Sequence, residues 1–555
     1  MDERAWRACS YGIRLAQPPT PHPYGPTHTS TTLTFSAMKN LITRCTSAGI
    51  AEWVCCPGRQ NATLLTGLAD CPYIHRWSQA DERTAAYFAL GRIQATGRPV
   101  VVVAGDGASA TSLTPAVVEA YYQRRPLIIV TVADRENAGG CGAPGHIETE
   151  GLFGMYAPTI ELQLPCSVIA LPDIASIATE GFPVHINLHL NETPTYGIDY
   201  TGLQLGDTPK APRFRGSVAD LAQMLRFHSH EGMVLLIGGL EPTEQEPVLW
   251  LARTLRVPVV ADAASGLREE LSAFMLHGAD SLLLQTPPRY VLRVGDVPTC
   301  EFWSALEDMP EVGVYSITRT GFSGLCRDSF VIEGEPEQVM KALGDVPHVG
   351  DTERLLPRSR RFCGRIEELM MSYPESEAAM VRYFSNHAGI ADVLSLGSAT
   401  TIRLWNRYAQ TNIPTVYLRA NNGTGGADGT VSAFLANSAD AQYACCLTGD
   451  LSLLRDCAAA SMLPQLPTCK RIVAVLNNEG AGMAYTPGMD EELQRLMVQP
   501  PVFDMKELAR LWGAEYYAIH CEADFEILDS LEDNAFVLME IIPDPEQTRA
   551  FNACL

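Results

Sequence analysis

Gly449-Asp450-Leu451-Ser452 and, further along, Asn477-Asn478-Glu479-Gly480 are the stretches that decide the fold. Each follows an apolar run. Gln442-Tyr443-Ala444-Cys445-Cys446-Leu447-Thr448 leads into the first, and Arg471-Ile472-Val473-Ala474-Val475-Leu476 into the second. Short apolar runs bounded by turn residues read as buried strands. The Ala-rich interval 456–463 between them reads as a short helix. Strand, helix, strand with polar residues at both carboxyl ends is a βαβ unit, and an open parallel sheet binds its ligands at that edge. The carboxylate of Asp450 and the amide of Asn478, brought together there, suit a hard divalent cation of the Mg²⁺ kind, with the Gly480 carbonyl within reach. Glycine at 449 permits a phosphate to approach the backbone. Either turn alone is a common surface turn; it is their pairing on one βαβ unit that points to chemistry.

The same alternation extends in both directions. Trp53-Val54-Cys55-Cys56, Val100-Val101-Val102-Val103 and Leu127-Ile128-Ile129-Val130-Thr131-Val132 are strand-like runs in a first block, 38–205. Met233-Val234-Leu235-Leu236-Ile237, Val257-Pro258-Val259-Val260-Ala261 and Tyr290-Val291-Leu292-Arg293-Val294 mark a second block, 213–350. The opening motif belongs to a third, 375–545, and the charged, proline-containing interval 351–374 reads as a linker. Continuous apolar strands alternating with helical patterns predict an α/β fold of three doubly wound blocks, with parallel sheets flanked by helices. The three repeat an architecture without repeating a sequence.

Composition narrows the function class. A formal net charge of −23 over 555 residues argues against a protein that neutralises nucleic-acid phosphates. No apolar run is long enough for a membrane span. The 16 cysteines form no C-x-x-C pair, and Cys55-Cys56 and Cys445-Cys446 lie inside apolar runs. They read as small buried hydrophobes in a reducing cytoplasmic setting rather than as a zinc site or disulfide frame. Residues 1–37, rich in Pro, Thr and His, have no periodicity and no signal-peptide core, and read as a disordered leader or a start assigned too far upstream. A transit peptide is the weaker alternative, with only Arg4, Arg7 and Arg14 in that stretch. Folded structure is expected from about Met38.

A second constellation is Asp81-Glu82-Arg83, opening the helical run Thr84-Ala85-Ala86-Tyr87-Phe88-Ala89-Leu90-Gly91. Acids at a helix N-terminus are ordinarily simple capping. The functional alternative is a partly buried Glu82 that shares a proton with a heterocyclic nitrogen.

Together these signals resemble thiamine-diphosphate enzymes, and most closely the MenD-like family, the 2-succinyl-5-enolpyruvyl-6-hydroxy-3-cyclohexene-1-carboxylate synthases. The resemblance is carried by Cys56-Pro57-Gly58, Asp81-Glu82-Arg83, the run Pro115-Ala116-Val117-Val118-Glu119-Ala120-Tyr121-Tyr122, Ala133-Asp134-Arg135, Gly426-Ala427-Asp428-Gly429, Gly449-Asp450-Leu451-Ser452 and Asn477-Asn478. It implies that the first block binds the aminopyrimidine, the third the diphosphate, and that the second is a spacer. It further implies a homodimer or homotetramer with sites between subunits. Glu82 would be the proton-relay acid. Gly58, Gly449, Asp450, Leu451, Ser452, Asn478 and Gly480 would line the cofactor, and Asp450, Asn478 and Gly480 would hold Mg²⁺ or Mn²⁺. The implied reaction is decarboxylation of a 2-oxo acid (2-oxoglutarate) and transfer of the resulting enamine, an acyl-carbanion equivalent, to an acceptor (isochorismate), a step of menaquinone biosynthesis.

The chain departs from the family mainly at substrate positions. Pro57-Gly58-Arg59-Gln60-Asn61 replaces Pro-Gly-Ser-Arg, Gly105-Asp106-Gly107-Ala108 replaces Thr-Ser-Gly-Thr, and Asn421-Asn422-Gly423 replaces Asn-Arg-Gly. Gly397-Ser398-Ala399 stands for Gly-Asn-Ser, and Cys300-Glu301-Phe302 for Ser-Lys-Arg. The loop Gly142-Ala143-Pro144-Gly145-His146 lacks the usual Gln. Polycarboxylates are best held by arginine forks, so lost cations weaken the case for the family substrates. Arg59, Gln60, Arg135, His146, Asn422 and Arg403 are the residues left to bind substrate. Two enzymatic readings therefore stand: the family synthase with a remodelled pocket, or a thiamine-diphosphate decarboxylase or carboligase with another donor or acceptor. An inactive paralogue is less favoured, since a scaffold has no need of Glu82.

Overall fold

The computed structural model describes residues 30–133, 142–163, 173–174, 176, 180–189, 197–208, 214–350, 354–413, 415, 418–480, 490–500 and 503–555, with side chains of 30–37, 491 and 494 set aside. Arg135 lies outside the described residues, as do residues 1–29 of the expected leader.

Three six-stranded sheets follow one another along the chain. The first contains β1 (Glu52–Cys55), β2 (His75–Ser78), β3 (Val100–Val103), β4 (Leu127–Ala133), β5 (Thr159–Gln163) and β6 (Val184–His189), in the order β2-β1-β3-β4-β6-β5 and parallel throughout. The second contains β7 (Phe214–Arg215), β8 (Met233–Ile237), β9 (Val259–Ala261), β10 (Tyr290–Val294), β11 (Gly313–Thr318) and β12 (Phe330–Gly334), in the order β7-β12-β11-β10-β8-β9. Only β7 runs antiparallel there, on the edge. The third contains β13 (Val393–Leu396), β14 (Leu418–Ala420), β15 (Tyr443–Gly449), β16 (Lys470–Leu476), β17 (Glu515–Ile519) and β18 (Phe536–Ile541), in the order β14-β13-β15-β16-β18-β17. The first and third sheets therefore share one strand order, although their sequences do not repeat. In both, the order reverses beside the first strand, and such a switch point leaves a crevice outside the carboxyl ends.

Strands such as β3, with four buried valines, are apolar on both faces because helices cover both sides. Among the helices that flank the sheets and form the site are α1 (Ser30–Ser47), α2 (Glu82–Thr96), α3 (Thr114–Gln123), α4 (Leu356–Ser372), α5 (Glu377–Ala388), α6 (Thr400–Tyr408), α7 (Thr430–Asn437), α8 (Asp450–Arg455) and α9 (Pro545–Ala553). Helices α2 and α7 bring the first and third sheets together around one shared apolar core. Their approach needs Gly91, because a Cβ there would stand 2.6 Å from the Ala433 carbonyl.

Three local expectations change. Helix α1 begins at Ser30, before the expected start at Met38, and Met38 itself is buried in the first core. The interval 351–374 contains the 17-residue helix α4, whose apolar residues Ile366, Leu369 and Met370 pack under α5 and α9. The helix expected over 456–463 is preceded by α8, which starts at Asp450 itself; Cys457–Gln465 then winds as a 3-10 helix into Pro464. Asp450 accepts the Leu451 N–H at 2.7 Å, so the motif acid is also the first residue of its helix.

Where the second, spacer-like sheet meets the others, Glu241 gathers cations from all three. Its carboxylate pairs with Arg125 before β4, with Arg319 after β11 at 3.4 Å, and with Arg419 in β14 at 3.1 Å. Burial works to raise the Glu241 carboxyl, but Arg125, Arg419 and Arg319 together hold it well below the usual carboxylate range.

Candidate functional site

Two switch points build the site. At the first sheet, the turn after β1 and the turn after β3 touch. A Cβ on Gly58 would fall 2.0 Å from the Gly105 carbonyl oxygen, so no side chain fits there. The buried amide of Asn61 staples both turns. Its Nδ2 donates to the carbonyls of Cys56 and Ala104, each at 2.7 Å, and its Oδ1 accepts the Gly58 N–H at 3.0 Å.

Asp81 caps α2 by accepting the Thr84 N–H at 2.8 Å, which leaves the next acid free of that duty. Half-buried Glu82 instead turns to the β3 turn, where its Oε1 accepts the Gly105 N–H at 3.3 Å. One carboxylate oxygen is thus fixed against the backbone and the other is left for a ligand. The glycine that replaces the family's Thr at 105 donates this bond from its backbone.

Gln60 is buried and accepts the Gly107 N–H at 3.3 Å, while Arg59 beside it is exposed. The loop carrying half-buried His146 folds over this edge. A Cβ on its neighbour Gly145 would lie 3.3 Å from Asp106 Oδ2 and 3.6 Å from Gln60 Nε2. His146 thus shares an edge with Gln60 and Glu82.

At the third sheet, Asp450 ties two turns together. Its Oδ2 accepts the Gly480 N–H at 2.7 Å. Gly480 stands at φ +66°, and a Cβ there would meet the Gln499 carbonyl at 2.1 Å, so both conformation and space demand glycine. What Gly480 gives Asp450 is its N–H; its sequence-based assignment was through the carbonyl. Leu451 and Ser452 occupy the half-buried first turn of α8, and the space beside Gly449 is open. Burial raises the Asp450 carboxyl, the N–H groups of Gly480 and Leu451 work against that, and among the described residues no lysine or arginine forms a salt bridge with it. A buried, cation-free carboxylate is the donor a divalent ion needs. Asn478 supplies the amide, its Nδ2 donating to Glu377 Oε1 at 2.8 Å. Among the described residues no group of three or more His, Cys, Asp and Glu side chains could hold a metal. The Asp450 carboxylate, the Asn478 amide and the open space beside Gly449 are donors and room that fit a hard divalent cation and a diphosphate.

The expected substrate residues are divided. Asn422 donates its backbone N–H to Glu119, a buried acid of α3. Gly423 packs on Ser398, which brings the turn after β13 against this loop. Arg403 is exposed on α6 and lines a 180 Å³ cavity with Glu377, Thr400 and Arg407. The negative charge of Glu301 does not confront a substrate carboxylate uncompensated, because Arg407 takes it at 2.7 Å, and Phe302 beside it is a core residue. A 310 Å³ cavity lies away from both switch points, between the second sheet, α4 and α6. Its Asp262 is saturated by Ala264, Thr299 and Asn406, and its Asp280 and Glu301 by Phe302 and Arg407. Asn61, Glu119 and Glu377 were missed from sequence. The one signal for Asn61 is its place in the Pro57-Gly58-Arg59-Gln60-Asn61 turn.

Three parallel-dominated sheets, with an acid at one switch point and a Gly-Asp turn at another, are the arrangement of a thiamine-diphosphate enzyme. Residues 35–149 match the family model described as the thiamine pyrophosphate enzyme N-terminal TPP binding domain. The architecture is that of benzoylformate decarboxylase from Polynucleobacter necessarius, with a TM-score of 0.67 over 91% of this chain and 98% of that one, at 12% identity. Closer in sequence is the 2-succinyl-5-enolpyruvyl-6-hydroxy-3-cyclohexene-1-carboxylate synthase of Akkermansia muciniphila, 48% identical over 92% of this chain and 97% of that protein. The synthase of the same name from Bdellovibrio bacteriovorus is 26% identical over 91% and 95%. The chain belongs to this synthase family.

Proposed function

We propose that the protein catalyses the reaction for which its family is named, with thiamine diphosphate and Mg²⁺ (or Mn²⁺). In this reading 2-oxoglutarate loses CO₂ and its remaining carbon skeleton is added to isochorismate, in menaquinone biosynthesis. The observation that carries it is the pairing of Asp450 with Gly480 at the third sheet, on a chain that also keeps Glu82 against Gly105 at the first.

The three blocks divide the work. Residues 375–545 hold the diphosphate through the Gly449 and Gly480 turns, with the cation on Asp450 and Asn478. Residues 38–205 present Glu82 to the aminopyrimidine, and 213–350 space the two. Thiamine diphosphate, when bound, supplies the nucleophile and electron sink. Glu82 holds and returns a proton at its free carboxylate oxygen, with Gly105 keeping the other in place. Gln60, His146, Arg403 and Asn422 orient the substrates, together with Arg59 and Arg135. Glu82 lies at the edge of the first sheet and Asp450 and Asn478 at the edge of the third, and the family resemblance supports a site shared by two copies in a homodimer or homotetramer. Among the described residues no helix is long and apolar enough to cross a membrane, and every described cysteine is a free thiol. Both fit the cytoplasm.

One comparison favours a second reading. By the family resemblance Asn422 stands where an arginine is expected, so a donor carboxylate has one fork fewer. A donor with a smaller or uncharged tail is the alternative. Purified protein with thiamine diphosphate and Mg²⁺ is to be given 2-oxoglutarate and isochorismate, and then a panel of other 2-oxo acids, with CO₂ release and product measured. Efficient formation of the family product is expected. CO₂ release from another donor in preference to 2-oxoglutarate would overturn the substrate assignment and leave the cofactor assignment standing.

A further inference from the structure

We propose that Glu377 is a positioning residue of the cation site, fixing the side-chain amide of Asn478 so that its oxygen faces the ion. This rests on the reading that Asp450 and Asn478 hold that ion.

Glu377 is far from both motifs in sequence. It is the first residue of α5, where Ser376 already caps the helix by accepting the Ala379 N–H, so Glu377 is not needed as a cap. An acid so placed would ordinarily point into water. Glu377 is instead only 9% exposed, and among the described residues no arginine or lysine forms a salt bridge with it. Its Oε1 receives the Nδ2 of Asn478 at 2.8 Å. A carboxylate can only accept, so it must take the NH₂ of the amide, and Oδ1 is what remains for a cation. A neutral neighbour would leave the amide free to turn over and present its NH₂ to the ion.

The backbone that carries this carboxylate is held from behind. The Glu377 N–H donates to Thr548 Oγ1 at 3.1 Å, and the Glu375 N–H donates to Gln547 Oε1 at 2.9 Å, both from α9. The Asp544 N–H returns a bond to the Glu375 carbonyl at 2.8 Å. The last helix of the chain thus braces the acid that aims a metal ligand. Partners of this kind, one step removed from the ion, typically set 10- to 100-fold of metal affinity.

The test is the affinity of full-length protein for Mn²⁺, read by electron paramagnetic resonance with thiamine diphosphate present, for wild type, Glu377→Ala, Glu377→Gln and Asp450→Ala. Glu377→Ala is expected to weaken Mn²⁺ binding by about 10- to 100-fold. Glu377→Gln, which can accept from Asn478 but can also donate to it, should fall between. Turnover by Glu377→Gln should return towards wild type at saturating metal, and its metal-free unfolding midpoint should not move, which a merely structural role would not produce. Wild-type Mn²⁺ affinity in both Glu377 variants, with affinity lost in Asp450→Ala, would overturn the proposal. Unchanged affinity in Asp450→Ala as well would instead remove the metal-site reading beneath it.

Discussion

Glu119 Oε2 accepts the backbone N–H of Gly425 at 2.9 Å, so an acid on a helix of the first sheet holds a loop of the third. The same buried carboxylate accepts the Asn422 N–H, the Thr424 hydroxyl at 2.8 Å and the Gln123 side chain at 2.6 Å. This loop is where the family arginine is replaced by Asn422. Removing the acceptor leaves several buried donors unmet. Glu119→Ala is expected to lower stability by about 2–4 kcal/mol and to raise KM for the 2-oxo acid more than it weakens cofactor binding. Urea unfolding and steady-state kinetics together check this; a variant as stable as wild type with unchanged KM would show that the loop is held by other means.

Glu241 makes a sharper case because its three arginines come from three different parts of the chain. Exposed ion pairs contribute little, but taking one partner from a buried cluster strands the others. Glu241→Ala should cost about 3–5 kcal/mol. Scanning calorimetry is the better probe, since loss of this junction should separate the unfolding of the second sheet from that of the other two. A single transition at the wild-type temperature would refute it.

Stability should also show two opposed pH dependences. Burial lowers the His185 imidazole from 6.5 to about 4, with Glu161 acting the other way. Its contribution is therefore present above pH 6.5 and lost as pH falls towards 4, because the unfolded chain binds the extra proton. Burial raises the Asp456 carboxyl from 3.8 to about 6 against the hydrogen bonds from Ser432. That contribution is present below pH 3.8 and lost as pH rises through 6. Each amounts to about 1.4 kcal/mol per pH unit within its window. Relative to wild type, His185→Asn should make stability fall more steeply as pH rises from 4 to 6, and Asp456→Asn should make it rise. Denaturant unfolding at several pH values reads both slopes, and slopes equal to wild type would sink the assignment.

What could be read from the sequence was local. Val100 to Val103 and the runs before Asp450 and Asn477 are strands because β-branched and small apolar residues repeat between turn signals. Gly449, Asp450, Asn478 and Gly480 were legible because a strand end delivers consecutive residues to one edge. Glu119 and Glu377 were not, because each sits at a helical position where an acid ordinarily faces water. Only the packing of a distant loop turns them inward. The start of α1 was missed for a related reason: Ser30 to Phe35 carries Ser and Thr, which favour turns in isolation. The common strand order of the first and third sheets lies in pairing, which leaves no trace in residue identity.

Glu82 gives the most direct test of the chemistry. Glu82→Gln keeps an oxygen to accept the Gly105 N–H, so the turn and the fold should survive, but an amide cannot take and return a proton. Turnover should fall by about 10²- to 10⁴-fold, the usual worth of a positioned acid or base, while binding of thiamine diphosphate stays within about threefold. Calorimetric titration of the cofactor and a CO₂-release assay separate the two effects, and wild-type turnover would end the proton-relay assignment. The same variant also asks where the site lies. If Glu82 of one copy serves the cofactor held by Asp450 of another, Glu82→Gln and Asp450→Ala are each inactive alone but complement on mixing. A shuffled dimer population then regains about a quarter of its sites, since only mixed dimers contain one intact pair. If both acids served a site within one chain, no mixture of the two would recover activity.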